Sequence, residues 1–378
     1  MNTTSRSGRS LSSTFVALAL LAVLQGCAHV ASSSAPPLES LTKGSRFEHI
    51  QRAQVWSATD VGAMDLRAGP RGDHAFTPEQ NVVCDYDEQK MGGTTPKFSC
   101  LLKKGDDIKV KYGKDNGEVY ASVLGSRLFW ALGFGADAFY PVRVTCKGCP
   151  KDPWKKSASS SGQVTFDRAI IESKLKGETL ESWNGQGWGW SELDRVDESQ
   201  GGAPRAHRDA LKLLASFVEH IDSKDVQQRL ICLSGDGPQK DPARCEHPFL
   251  MVHDLGVTFG SGGLLSRHLN DVGAANFKTW APQTVFRETT GCVGSVSRNL
   301  QGSLNHPTIS EEGRKFLSDL LAKLSDRQLH DLFSVARVDK RSRNPRSKEP
   351  PASVDEWVDA FKRKRAEIAA RRCPESAQ

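Results

Sequence analysis

The longest apolar run in the chain is the ten residues from Phe15 to Leu24. A bilayer-crossing helix needs roughly 20, so a multispan membrane protein is excluded. Compositional bias is also lacking: 33 glycines and 18 prolines are spread over 378 residues without a repeat, and 25% of residues are charged. That excludes collagen and global disorder. Neither sign of charge dominates, with 51 Lys and Arg scattered among 45 Asp and Glu, so no nucleic-acid partner is expected. Gly-x-Ser-x-Gly is absent, which removes the hydrolase elbow, and no pair of histidines forms His-Glu-x-x-His. Arg71-Gly72-Asp73 is an adhesion tripeptide by letters only and reads as a turn.

What the chain does have begins with Arg6 and Arg9 ahead of that ten-residue apolar run, the pattern of a secretion signal. The run ends in Leu24-Gln25-Gly26-Cys27, which resembles the bacterial lipobox. The resemblance implies that residues 1–26 are removed and that Cys27 becomes a lipidated first residue anchoring the protein to a membrane. Ala28 after it implies the outer rather than the inner membrane of a bacterial envelope. The alternative is a plain signal peptide. Residues 27–45 are rich in Ser and Pro and form a tether.

Eight further cysteines in an oxidising compartment point to disulfides. Short spacings suggest Cys84 with Cys100, Cys146 with Cys149 and Cys232 with Cys245, leaving Cys292 with Cys373. Cys146-x-x-Cys149 has no second pair at zinc spacing, and Gly148 and Pro150 favour a turn, so a structural bridge is expected there.

Strand patterns cover 97–102, 107–112, 138–145 and 165–174, around one helix from Asn116 that is apolar on most sides and stops at Gly133. Ala210, Leu213, Leu214, Phe217 and Ile221 then fall at helical spacing, predicting a strong amphipathic helix over 207–221. Helices follow from Ser310, from the capping box Ser325-x-x-Gln328 and from the capping box Ser353-x-x-Glu356. The basic run 362–372 is expected to be solvated, and Trp188 and Trp190 to lie in a loop between lobes. The fold class is therefore α+β and bilobal, with a small strand-rich N-lobe over 46–178, a larger helical C-lobe over 179–338 and a basic loop and helix over 339–378.

At the end of the amphipathic helix stands His220-Ile221-Asp222-Ser223-Lys224-Asp225-Val226-Gln227, which resembles the catalytic loop of protein kinases. Downstream, the apolar Pro248-Phe249-Leu250-Met251-Val252 runs into His253-Asp254-Leu255-Gly256, similar to the Asp-Phe-Gly motif. Upstream, Gly92-Gly93-Thr94-Thr95-Pro96-Lys97 resembles the glycine-rich loop of HipA-like atypical kinases. Ile108-Lys109-Val110-Lys111-Tyr112 sets two lysines on one strand face; either could hold phosphate, and Lys111 is favoured, with Glu118 as its helix partner.

This resemblance, ordered over about residues 90–260, implies a kinase-like fold that uses ATP with Mg²⁺ or Mn²⁺. Asp222 would be the catalytic base and Lys224 would steady the transferred group. Gln227 and Asp254 would hold metal, while Gly92, Gly93, Lys97, Lys111 and Glu118 would serve the nucleotide. The implied activity is transfer of a phosphoryl group to a hydroxyl acceptor, protein or small molecule. Gln227 stands where the family has Asn, 32 residues separate Asp222 from Asp254, and no Ala-Pro-Glu follows. Those departures keep a second expectation open, a pseudokinase that binds or scaffolds in the envelope without catalysis.

Overall fold

Alternation builds the first half of the fold. Five strands turn every second residue inward: β1 (Asn81–Asp87), β2 (Lys97–Leu101), β3 (Asp107–Tyr112), β4 (Ala138–Lys147) and β5 (Gln163–Ser173). Their inward set includes Val82 and Cys84, Phe98 and Cys100, Ile108 and Val110, Val142 and Val144, and Phe166 with Ala169. A shift of register between β4 and β5 at Val142/Val144 carries the inward sequence from Phe166 to Ala169. The strands close into a barrel in the order β1-β2-β3-β5-β4, with β1 and β4 parallel and the other pairs antiparallel. β1 carries no clear signal in the sequence, since Asp85 and Asp87 dilute its pattern.

The computed structural model describes residues 43–72, 74–155, 162–180, 187–233, 245–261, 273–296, 301–343 and 349–374. The leader, Cys27 and Asp73 of the Arg-Gly-Asp turn lie outside them. Among the described residues no helix is long and apolar enough to cross a membrane. Residues 40–378 form one unit with a larger core outside the barrel. Here α1 (Lys43–Arg52), α2 (Glu118–Ala131) and α3 (Arg205–Phe217) share apolar surface with α5 (Glu311–Ala322), α6 (Asp326–Val335) and α7 (Val354–Ala370). A short α4 (Phe277–Trp280) contributes Trp280 to the same core. The α+β class is as the sequence implies, with strands concentrated before residue 180 and helices after 200.

Local rules explain the helix ends. Asn116 Oδ1 accepts the Glu118 amide at 3.1 Å, so its side chain caps α2 although the helix proper begins two residues on. Ser325 with Gln328 and Ser353 with Glu356 form the expected capping boxes. α3 ends before residue 221 because Glu219 takes φ 59°, turning the chain out of the helix.

Packing corrects one expectation and shows how deep the tryptophan segment lies. Trp188 and Trp190 are core residues, 0% and 2% exposed, and Trp188 Nε1 donates to the Met251 carbonyl at 3.1 Å. The basic run is not wholly solvated: Lys364 is buried on Trp280 and donates to the Gln283 carbonyl. Lys364 falls at helical spacing from Trp357, Phe361 and Ile368 on α7, which turns it inward with them.

The structure contains all four disulfides in the pairing that the spacings suggest. Cys84–Cys100 joins β1 to β2, and Cys146–Cys149 ends β4 beside it, so two bridges pack inside the barrel. Cys232–Cys245 links β8 (Gln228–Cys232), which pairs with β6 (Glu178–Thr179), to the entry of β9 (Pro248–Val252). Cys292–Cys373 ties the end of α7 back across a separation of 81 residues, a loop whose closure restricts the unfolded chain strongly. Replacing both partners, Cys292→Ser with Cys373→Ser, is expected to cost about 2–5 kcal/mol in denaturant unfolding under oxidising conditions. An unchanged midpoint would show that this bridge contributes nothing.

Candidate active site

The site starts on β3. Ile108, Val110 and Tyr112 face the barrel core, which leaves Lys109 and Lys111 on the other face. The two lysines then part company. Lys109 pairs with Glu172 on β5, whereas Lys111, 1% exposed, lies 2.8 Å from Glu118 Oε2 on α2 and 3.4 Å from Asp254 Oδ1. Its ammonium also sits 5.2 Å from the centre of the Phe139 ring. Removing one carboxylate from such a pair typically costs roughly 3–5 kcal/mol, because the remaining charge stays buried.

Small residues make this meeting possible. A Cβ on Gly125 of α2 would stand 2.8 Å from Leu255 Cβ, and one on Gly256 would stand 2.9 Å from Asp254 Oδ1 and 3.0 Å from Glu118 Cγ. Both glycines let the segment after β9 close onto the start of α2. The Gly256 amide donates to Asp254 Oδ1 at 2.8 Å. Burial opposes the charge on Asp254, but Lys111 and this amide outweigh it and hold its carboxyl well below the usual range. Lys111 is correspondingly held above the ordinary lysine value: burial lowers it, and Asp254 and Glu118 more than reverse that.

The loop holding Asp222 is tied to Asp254 through the backbone. β7 (Asp222–Ser223) pairs in parallel with β10 (Gln301–Gly302), and a single 3₁₀ turn, Asp225–Gln227, leads into β8. The Gln227 carbonyl accepts the amides of His253 at 2.8 Å and Asp254 at 3.1 Å. Asp222 faces Lys224 Nζ at 3.0 Å and accepts Gln227 Nε2 at 3.0 Å. Gln227 Nε2 is thus committed to Asp222, leaving the side-chain oxygen Oε1 as the acceptor that a cation would use. A carboxylate and an amide oxygen on adjoining loops are a donor set suited to Mg²⁺ or Mn²⁺.

On the opposite side, Lys97 stands directly across from Lys111 in the β2–β3 register. A Cβ on Gly93, which has φ +90°, would fall 2.6 Å from Lys97 Nζ, so the amine lies against the glycine turn. Lys97 is half-buried, and its ammonium has no hydrogen bond or ion pair among the described residues. Burial pulls it below the ordinary lysine value, with Glu118 pushing the other way and Lys111 adding to the fall. Two like charges facing across paired strands are unfavourable. An anion beside the turn would relieve that.

Nine of the ten residues singled out in the sequence, all but Cys27, therefore lie among the described residues. Lys111, Glu118 and Asp254 meet side chain to side chain, as do Asp222, Lys224 and Gln227, and the two groups join through the Gln227 carbonyl. Gly92 is exposed and meets nothing within 4 Å of its would-be Cβ. Sequence reading missed a further contact: Asp137 Oδ2 takes the ring of His253 at 2.5 Å while Asp137 Oδ1 accepts the Leu175 amide at 2.8 Å. It braces the residue before Asp254, and 116 positions of separation leave it without a local signal.

No protein-family model matches this chain, and no curated protein does either. Among solved structures it is similar to the Helicobacter pylori proinflammatory kinase CtkA, at 9% identity over 77% of this chain and 99% of that one, with a TM-score of 0.36. It is also similar to the Golgi casein kinase with Mn/ADP bound, at 12% identity over 77% of this chain and 72% of that one, with a TM-score of 0.32. Scores this low carry no inference about activity.

His220, which opens the loop, is fully buried beside Trp190, and neither ring nitrogen has a partner among the described residues. Burial lowers its pKa to about 4, against smaller opposing effects of Asp222 and Asp254. The unfolded chain takes up the proton first, near pH 6.5, so this contribution to stability is complete above pH 6.5 and is lost as pH falls towards 4. The expected loss is of order 3 kcal/mol. Unfolding midpoints from pH 8 to 4 should fall less steeply in His220→Leu than in the parent; parallel slopes would refute the assignment.

Proposed function

We propose that this protein is a kinase-like phosphotransferase that takes a phosphoryl group from a metal-bound nucleoside triphosphate and passes it to a hydroxyl acceptor. One observation carries the reading: a buried Lys111 ammonium held between Glu118 and Asp254, beside a second lysine, Lys97, that lacks an anion. A purely structural ion pair accounts for Lys111 but not for Lys97 against a glycine turn.

In this reading Lys111 binds the phosphates and Glu118 fixes its direction. Lys97 and the backbone around Gly92 and Gly93 cover them from the other side. Asp254 and the Gln227 side-chain oxygen Oε1 would hold Mg²⁺ or Mn²⁺, which would neutralise charge on the phosphate oxygens. Asp222 accepts the proton of the acceptor hydroxyl as its oxygen bonds to the terminal phosphorus and the bond to the departing diphosphate breaks. Lys224, 3.0 Å from Asp222, steadies the transferred group. The leader ahead of Cys27 and the four disulfides support a place outside the cytoplasm, anchored by lipid at Cys27 in a bacterial envelope.

A second reading, nucleotide binding without transfer, has one observation of its own. Both Asp222 oxygens are engaged, by Lys224 and Gln227, which leaves the base less open to an acceptor than a free carboxylate.

Thermal unfolding of the oxidised protein with ATP and Mg²⁺ or Mn²⁺ separates these. Ligand at 100 times its dissociation constant adds about 2.7 kcal/mol, so the midpoint should rise with metal and nucleotide together. Asp254→Asn should abolish the rise while Lys111 keeps Glu118 and the fold survives. Absence of any rise in the parent protein sinks the nucleotide reading. A rise without consumption of ATP in the presence of acceptors selects binding over transfer.

A further inference from the structure

Away from this site, α3 presents Arg205, Arg208 and Lys212 on one face, at i, i+3 and i+7. They form one wall of a cavity of about 400 Å³. The facing wall is the segment from Ser303 to Thr308, with the hydroxyls of Ser303 and Thr308 and the amide of Asn305. Trp190 also lines it.

Some donors here lack acceptors. Arg208 donates to the Leu193 carbonyl at 3.0 Å and reaches Glu198 at 3.5 Å, but its Nε and Trp190 Nε1 are buried without a hydrogen-bond partner among the described residues. Arg205 gives its Nε to Asp209 at 3.4 Å, and its terminal NH₂ groups make no hydrogen bond among the described residues. Buried donors without acceptors are costly, and native proteins seldom leave two around one cavity unless something else supplies the acceptors.

Two carboxylates share the cavity, and they differ. Asp209 is buried and accepts the Ser310 amide at 3.1 Å, so it is part of the packing of α3 against α5. Asp194 stands at the mouth with a side chain 67% exposed and reaches Lys212 Nζ at 2.5 Å. Lys212 is itself nearly buried and also meets Asp209 at 3.5 Å, so the solvated Asp194 is the partner that can yield to a better anion.

We propose that this cavity binds the phosphate groups of a small phosphorylated molecule, with Arg205, Arg208 and Lys212 as the cationic wall and Asp194 as the residue displaced. Phosphate suits the site better than a lone carboxylate because its oxygens point in several directions and can meet donors on α3, on Trp190 and on the Ser303 segment together. The cavity adjoins the Asp222 loop: Ser303 follows β10, the partner strand of β7, and its Oγ accepts the Trp190 amide at 2.7 Å. Trp190 in turn contacts His220, with ring centres 5.8 Å apart. The proposal stands independently of nucleotide use at Lys111.

Pyrophosphate in metal-free buffer is the probe, titrated calorimetrically into the oxidised protein. One saturable site is expected, weakened about tenfold in Arg205→Ala by loss of a charge-assisted hydrogen bond. Asp194→Asn should tighten it several-fold, because the competing carboxylate is gone; a merely structural role for Asp194 predicts no gain. Both residues are exposed enough that their variants should fold. No saturable binding in the parent overturns the proposal, as does binding that survives Arg205→Ala but is lost in Lys97→Ala, which would place the anion at the glycine turn. Citrate binding as tightly as pyrophosphate would assign the cavity to carboxylates and overturn the phosphate class.

Discussion

A lysine ammonium with 1% exposure has to be answered by negative charge, and the structure around Lys111 follows from that requirement. Glu118 and Asp254 come from elements 7 and 143 residues away, so satisfying one cation fixes where α2 starts and where the chain leaves β9. The backbone link from Asp254 to Gln227 then fixes the Asp222 loop. Burial alone would drive the Lys111 ammonium towards neutrality, and removing water from Asp254 alone would protonate it. Together each stabilises the other's charged form.

The scaffold supplies this pair with rigid neighbours. The barrel holds β3 on one side, with two disulfides packed in its interior in place of a larger apolar core. On the other side α2 is buried over almost its whole circumference, which removes the freedom that an exposed helix would have to slide or fray. Gly125 and Gly256 bring the two sides to contact distance. Asp137 then pins His253, so the residue before Asp254 is held as firmly as the residue after it.

Much of this was legible in the chain, for identifiable reasons. Capping boxes at Ser325 and Ser353 use residues three apart, and α3 is declared by apolar residues at helical spacing, so both are local signals. Disulfide pairing followed from short separations, with the last pair left over. The choice between Lys109 and Lys111 had no such support: both share one strand face, and only the placement of Glu172 on β5 and Glu118 on α2 separates their partners. β1 escaped notice because it is half-exposed and rich in Asp. Lys364 was misplaced because the identity of a side chain does not say which surface will cover it.

The sequence by itself determined the order of the elements, their types and caps, the cysteine pairs and the residues able to serve a charged ligand, since each depends on neighbours within a few positions or on counting. Tertiary structure decided which lysine is buried between carboxylates, which lysine is left without an anion, that Asp137 braces His253, and that α3 turns three cations towards a cavity. Those outcomes depend on contacts between residues far apart in the chain, where burial and charge are settled by what the fold brings together.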